Sequence, residues 1–588
     1  MRGAAPTIVK LAAVVACVLA SSAARADDCG LVDVWEAGRR AGAVCRGDAA
    51  ARGLTVIELG DRWTPPVLAP GPDYRESYLA LAAERDLEGL AARDRYFELY
   101  GVPPALSVVR SRLANTERHR CHDAAGPVTV TGRIVEEPAA EARARLARAR
   151  ASRRELEADA RRGGFASLDE LAASSAYHRR AVTSLELREQ RIAAIRATQA
   201  HLACDALLEY TPIDGAFTWH TSDPLERFQR GAMILPIGTL DEVTAAALSL
   251  DGRERDFRVA LRVLRERVAA ATGLVEDGTA GPGVGMVLGR ALEPEALWRV
   301  RGHAPLDGAA PDLISPATEA AARALGWTDA GAVLAFLDAR DAPEAVAIAL
   351  PPRPAYHAAH MDLSVEIDRG DVWRDPVPRA RVVARRPALV LYATVNGARL
   401  PLARWPTTIG GWQKQKENGD IVTKWKESPA GARIWRDLYV GPRWLPPKTT
   451  PDRELVRRTD TKVVLAAEAF GPSYRAAFGM VAFLHLVPGA KPWDQGIRTH
   501  GTGNLTSLAT GVSHGCHRLL GFQVVRLADF VLAHRTHVRH GETPTRYRRV
   551  VRYRGTFPVS IDSLGYRIEL DPPLPVTVLP GRIHGTGW

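Results

Sequence analysis

One segment of the 588-residue chain concentrates the residue types that can do chemistry: "HGTGNLTSLATGVSHGCHRLL", residues 500–520, sets Cys516 among His500, His514 and His517. A sulfur in this setting has three uses: nucleophile, metal ligand or half of a disulfide. Nucleophilic use needs a thiolate, a base, donors for the oxyanion and a group that orients the base. The three histidines supply candidates for the base, and Gly515 permits close backbone approach beside the sulfur. The apolar periodicity of "LLGFQVVRLADFVLAHR" (519–535) predicts a following helix, whose N-terminal dipole end would favour a thiolate at Cys516. Use as a zinc ligand would combine Cys516 with His500, His514 or His517. Against zinc stands the lack of a second cysteine in the segment and of an H-E-x-x-H helix pair.

The other cysteines bear on the third use. Cys17 lies in an apolar run, "LAAVVACVLA" (11–20), which follows Arg2 and Lys10 and precedes Ala24-Arg25-Ala26; together these read as a secretory leader cleaved near Asp27. Cleavage before Cys17 with lipid attachment there is the second choice, because the apolar run continues past it. No later stretch has the roughly 20 apolar residues of a membrane span. Export to the periplasm or cell wall is expected. In that oxidising setting Cys29, Cys45, Cys121 and Cys204 predict two disulfides, with three connectivities open. Cys516 is left over, as a reactive thiol must be. Net charge is +11, or near +8 without the three basic residues of the leader. Such a surface favours acidic polymers, and with no basic motif interleaved with aromatics, nucleic acid is not an expected partner.

The chain then has to position these groups. Residues 27–135 mix turn-rich pieces with apolar-periodic ones such as "ESYLALAAERDLEGLAARDRYFELY", predicting a mainly helical, cysteine-containing domain. Residues 136–205, rich in Ala, Arg, Glu and Leu, predict a helical hairpin broken at Gly163-Gly164, with a capping-box match from Ser167 to Glu170. In 206–250, Asp214-Gly215, Thr221, Phe228-Gln229, Thr244, Ala247 and Leu248 follow a turn-helix-loop-helix order that resembles the small peptidoglycan-binding domain. Residues 251–350 read as a helical region with a fainter second copy at 306–325, and 351–384 as a linker. From 385 to 588 the period becomes that of strands, with a hairpin signal at "ALVLYATV", Asn396-Gly397 and "ARLPLARW", and further strands at 461–467 and 480–487.

Within this last region, "IRTHGTGNLTSLATGVSHGCHRL" (497–519) resembles the active-site signature of the YkuD-type L,D-transpeptidases: His-Gly-Thr, then twelve residues between that histidine and a Ser-His-Gly-Cys-x-Arg block. "TTIGGW" (407–412), "ESPAGARIW" (427–435), "PRWLPP" (442–447) and "GPSYRAAFGMVAFLHL" (471–486) also resemble the family's landmarks, in its order. The likeness covers about residues 385–580. It implies that Cys516 is the nucleophile, His500 its general base, and the Gly501 carbonyl the group that orients the base. Backbone N–H groups around His514, Gly515 and Cys516 would form the oxyanion hole, and Arg518 would pair a substrate carboxylate. Ser513 and His514 are expected to shape the loop through local hydrogen bonds. His517 stands where the family has an apolar residue, and is expected to fill space. Trp405, Trp412, Trp425, Trp435, Trp444 and Trp493 are expected in the core, and the second "HGTG", at 584–587, is read as coincidence.

The implied reaction is acyl transfer from a peptidoglycan stem tetrapeptide through a Cys516 thioester to an amine of a second stem, giving a 3→3 cross-link. Water as acceptor would make the chain an L,D-carboxypeptidase, and a protein amine would make it an anchoring transpeptidase. The resemblance implies no metal or organic cofactor, glycan and stem peptides as partners, and acylation of Cys516 by carbapenems. The rival is a wall-binding scaffold without catalysis. The expected fold is multidomain α+β: mainly helical N-terminal and middle regions, the leader (1–26) aside, followed by a β-dominated catalytic domain.

Overall fold

"LVDVWE" carries two valines and a tryptophan, β-branched and aromatic side chains that favour extended backbone. In the computed structural model, which describes residues 29–61, 63–69, 105–208, 211–232, 234–292, 300–340, 342–375, 384–458, 462–473, 476–502 and 505–584, this stretch is β1 (Leu31–Glu36). It pairs with β2 (Arg39–Cys45), and β3 (Thr55–Glu58) completes the N-terminal strands. β4 (Ala345–Ile348) inserts between β1 and β3. The expectation of a mainly helical start is thus corrected for residues 31–58: the strand that completes their sheet lies far along the chain, where local periodicity cannot see it. The helix expected at 76–100 and the leader at 1–26 lie outside the described residues.

α1 (Leu106–Ala114) and α2 (Thr116–Ala125) follow, then α3 (Ala139–Arg162), α4 (Leu168–Ser174) and α5 (Ala176–Cys204). The expected hairpin appears as α3 and α5 with α4 between them, and Ser167 Oγ accepts from Glu170 N–H (3.2 Å) at the α4 N-cap. Disulfides join Cys29 to Cys45 and Cys121 to Cys204, which decides the connectivity and leaves Cys516 free. No helix among the described residues is long and apolar enough to cross a membrane.

α6 (Trp219–Gly231) and α7 (Glu242–Ser249) are the two helices expected in 206–250. The residues of the pattern are engaged in holding this unit together. Gln229 Nε2 donates to Thr239 O (3.0 Å) and Thr244 Oγ1 (2.8 Å), and its Oε1 accepts from Ile237 and Gly238 N–H (2.9 Å each). Asp214 Oδ1 and Thr221 Oγ1 both accept from Gln199 of α5 (3.1 Å each). α8 (Gly252–Thr272), α9 (Ile314–Leu325) and α10 (Ala330–Asp338) complete the helical part. Phe257, Leu261 and Leu264 of α8 share one core with Ile57, Val109, Trp327 and Val346. Residues before 115 and after 251 are therefore one packed unit, although boundaries were expected between them.

The expected linker at 351–384 is also corrected. It contains β5 (Leu363–Asp368) and β6 (Asp371–Trp373), and β5 lies inside the large sheet between β7 (Ala388–Val395) and β18. β8 (Ala398–Pro406) returns from β7 through Asn396 (φ 51°) and Gly397 (φ 79°), the left-handed pair that a two-residue hairpin requires. β9 (Gly410–Glu417) and β10 (Asp420–Glu427) form a separate two-stranded ribbon, followed by β11 (Gly431–Val440) and a short pair, β12 (Val456–Arg458) and β13 (Val463–Leu465). Then come β14 (Val481–Val487), β15 (Trp493–Gly501), α11 (Leu505–Thr510), β16 (His517–Leu519) and α12 (Gly521–His534). β17 (His537–Arg552), β18 (Thr556–Val578) and β19 (Arg582–His584) end the described chain. The large sheet runs β16-β15-β14-β11-β18-β5-β7-β8, with β17 on β18.

Val524, Leu527, Ala528 and Val531 of α12 pack into the core of this sheet with Trp405, Trp435 and Phe483. The helical part grips α12 and the sheet through buried polar contacts. Arg526 Nη2 pairs with Glu266 of α8 (2.7 Å), and Asp277 Oδ2 accepts from Trp405 Nε1 (2.8 Å). The fold is thus mixed α+β with a β-rich C-terminal region.

Candidate active site

β15 and β16 are parallel neighbours, with Thr499 opposite His517 and His500 opposite Arg518. Thr499 and His517 both bond His485 on the buried side. By strand alternation His500, Arg518, Arg498 and, just before β16, Cys516 face the other side. The sequence-named residues Cys516 and His500 are therefore brought to one face of adjacent strands. β14 advances from Leu484 to Leu486 while β15 runs from Arg498 back to Asp494, so β15 carries a two-residue bulge. Bulges re-aim groups beside functional sites. Here Gly496, at φ +80°, turns its carbonyl toward Cys516, and the thiol donates to it at 3.9 Å. Gly515 sits at φ +109°, and a Cβ there would come within 3.0 Å of the Glu427 carbonyl, so only glycine lets β10 approach this closely.

His500 is buried, and its Nδ1 lies 2.5 Å from the Gly501 carbonyl. A carbonyl only accepts, so Nδ1 carries the proton and Nε2 keeps its lone pair, the form a base needs. The Phe478 ring meets the imidazole edge-on at 5.0 Å. Burial, reinforced by the Arg518 charge, pushes the His500 pKa down to about 3. Burial likewise raises the half-buried Cys516 thiol above its ordinary value, against the opposing pull of the Arg498 backbone N–H and the Arg498 and Arg518 charges. The resting imidazole and thiol are thus both neutral. The helix expected directly after Cys516 is displaced: β16 intervenes, α12 starts only at Gly521, and no dipole acts on the sulfur from there. Alkylation of Cys516 by iodoacetamide is accordingly expected to keep rising with pH beyond about 8.5, the ordinary cysteine value. A rate already level between pH 5 and 7 would mean a preformed thiolate and would contradict this assignment.

The backbone of the loop is pinned from two sides. Thr408 Oγ1 donates to Cys516 O (2.7 Å) and accepts from Arg518 N–H (3.0 Å), while Thr407 Oγ1 donates to Arg518 O (2.8 Å). Ser513 Oγ donates to Cys516 O (2.7 Å) and accepts from Gly515 N–H (3.1 Å), the loop-shaping role expected of it. His514 does not share that role: its side chain is exposed, and no hydrogen bond among the described residues engages its ring. The Cys516 and His514 backbone N–H groups donate to no described residue, whereas Gly515 N–H is spent on Ser513. The Arg518 guanidinium is half-buried, makes no ion pair among the described residues, and has its Nε buried without a partner.

His517 does more than fill space. His485 Nε2 accepts from Trp435 Nε1 (2.9 Å), so His517 Nδ1 donates to it (3.3 Å) and His517 Nε2 accepts from Ser428 Oγ (2.7 Å). This ties the strand after Cys516 to the loop between β10 and β11. Burial pushes the His517 pKa down to about 3, far below the 6.5 of an exposed histidine. The unfolded chain takes up a proton below pH 6.5 that the folded chain refuses, so this contribution to stability is full above 6.5 and is lost as pH falls toward 3. Asp529, whose buried carboxyl is pushed up to about 8, acts in the opposite sense. His517→Leu is therefore expected to flatten the fall in stability between pH 6 and 4 by about 1.4 kcal/mol per pH unit, read from urea melts. An unchanged slope would contradict the buried neutral state.

Sequence reasoning missed Thr407, Thr408, Ser428, His485, Asp494 and Arg498. The threonines lie in the quoted "TTIGGW", and a paired threonine before two glycines is the one signal that pointed to them. Of the tryptophans expected in the core, Trp405 and Trp435 are fully buried, while Trp493 is 55% exposed. Among the described residues no three His, Cys, Asp or Glu side chains are placed to share a metal ion. No protein-family model matches the chain, and no curated protein matches it.

Proposed function

We propose that this chain is an exported L,D-transpeptidase that cross-links peptidoglycan by acyl transfer through Cys516. The observation that carries the reading is the geometry of His500: Nδ1 committed to the Gly501 carbonyl and Nε2 left bare, on the strand beside the one led by the only free cysteine among the described residues. His500 Nε2 takes the thiol proton as the sulfur attacks the donor amide between the diamino acid L-centre and the terminal D-alanine. The Cys516 and His514 N–H groups receive the oxyanion. On collapse, imidazolium returns the proton to the leaving D-alanine amine and a thioester remains. An acceptor amine then adds to the thioester carbon, loses its proton to His500, and the sulfur leaves to be reprotonated. Arg518 holds a donor carboxylate, and the unit at 206–250 provides contact with the wall.

The test is incubation of the full chain with purified disaccharide tetrapeptides, followed by mass spectrometry. Dimers linked 3→3, with release of D-alanine, are expected from wild type and not from Cys516→Ala. Release of D-alanine without dimers would assign the carboxypeptidase reaction instead, and identical products from both proteins would defeat the proposal.

A further inference from the structure

Arg498 takes no part in the steps above, yet it precedes the Thr499–His517 pair on β15 just as Cys516 precedes it on the other strand, and its backbone N–H and its charge both act on the thiol. Its guanidinium is 18% exposed and is held in a fork by Asp494, Nη1 to Oδ1 and Nη2 to Oδ2, both at 2.6 Å. Asp494 also accepts from Gly496 N–H (2.8 Å), so one carboxylate both braces the bulge and fills the Arg498 fork. It is itself 40% exposed, and a carboxylate in open contact with water is one that another carboxylate can replace. On the other flank of the thiol stands Arg518, beside His500 and without a carboxylate partner among the described residues. Two guanidiniums thus act on the sulfur, one without a carboxylate partner among the described residues and one held by an exposed, exchangeable side chain.

We propose that Arg498 and Arg518 form a two-point cradle selecting acyl donors with a carboxylate on each side of the scissile amide, and that Asp494 occupies the Arg498 fork until the donor arrives. This rests on the acyl-transfer reading for its direction. His500 must reach the leaving amine to return its proton, so the leaving residue lies on the His500 side and its α-carboxylate meets Arg518. The acyl half lies toward Arg498, which takes the free side-chain carboxylate of a diamino diacid. After the leaving residue departs, the thioester keeps its hold on Arg498, while Arg518 is freed for the acceptor.

The experiment uses binding rather than turnover, so it remains legible if cross-linking is never seen. Two synthetic tetrapeptides, identical except that the diamino acid side-chain carboxyl is free in one and a carboxamide in the other, are titrated calorimetrically into the full chain carrying Cys516→Ala. The free acid is expected to bind about tenfold tighter, the size of one charge-assisted contact. Adding Arg498→Gln is expected to abolish the preference, and Arg498→Lys to keep part of it. Adding Asp494→Asn, which removes the charge and the Nη2 acceptor from the fork but still accepts from Gly496 N–H through Oδ1, is expected to tighten the acid several-fold and leave the amide unchanged. A preference that survives Arg498→Gln, equal weakening of both peptides by Asp494→Asn, or no binding of either peptide would overturn the cradle.

Discussion

A carbapenem is expected to add one acyl group to this protein, on Cys516, and none to Cys516→Ala. The strained lactam carbonyl can stand in for the scissile amide, and opening it needs no leaving residue, so the adduct reports the first half-reaction alone. Cys516 is the one free thiol among the described residues, and its S–H is protonated at rest because burial raises it. Acylation therefore depends on proton transfer to His500. His500→Ala is expected to slow the adduct by about 10²–10⁴-fold, the span of general-base catalysis, while raising the pH restores part of the rate by supplying thiolate directly. Intact-mass kinetics across pH would read both effects. An adduct on another residue, or one formed at the wild-type rate without His500, would remove the basis for the proposed mechanism.

The second large effect is expected on stability, at the buried contact between the helical part and the sheet. Asp277 is 3% exposed; its carboxylate accepts from Trp405 Nε1 (2.8 Å) and Thr279 N–H (3.2 Å) and lies 3.5 Å from Arg526 Nη1. Truncation to alanine leaves a buried indole N–H without an acceptor and removes one of the acids facing a buried guanidinium. Breaking a buried charge pair from one side costs about 3–5 kcal/mol, because the remaining group stays desolvated. Asp277→Ala is expected to lose about that much in urea denaturation of the full chain. Asp277→Asn, which can still accept from Trp405, is expected to lose less. Equal losses in the two variants would show that the charge next to Arg526, not the indole acceptor, carries the contact. A loss below about 1 kcal/mol, the worth of an ordinary hydrogen bond, would show that the interface does not depend on Asp277.

How much of this was legible in advance differs from residue to residue. Asn396-Gly397 announced its hairpin because only residues tolerant of positive φ make that turn, a property held within two positions. Ser167 announced a helix start for the same local reason: its side chain accepts from an N–H three positions on. β5 was hidden in a proline-rich surround because its partners, β7 and β18, both lie later in the chain, β18 by nearly 200 positions, and nothing in "LSVEID" records them. The roles of Thr408 and Arg498 were hidden likewise. A threonine that braces a cysteine backbone 108 positions away leaves no local trace.

The sequence by itself determined the reactive groups. It left Cys516 unpaired by cysteine arithmetic, set His500 and Arg518 in a segment whose resemblance implies acyl transfer, and placed glycine where a Cβ could not fit. Such properties belong to residue type and short spacing, which the chain carries before it folds. Only the tertiary structure decided that His500 Nδ1 meets the Gly501 carbonyl and leaves Nε2 bare, because that follows from strand register and from which carbonyl the ring meets. It also decided that His517 braces a buried network, and that Arg498 stands beside the thiol with Asp494 in its fork. Those are relations between strands, set by register and burial, and no stretch of sequence holds them alone.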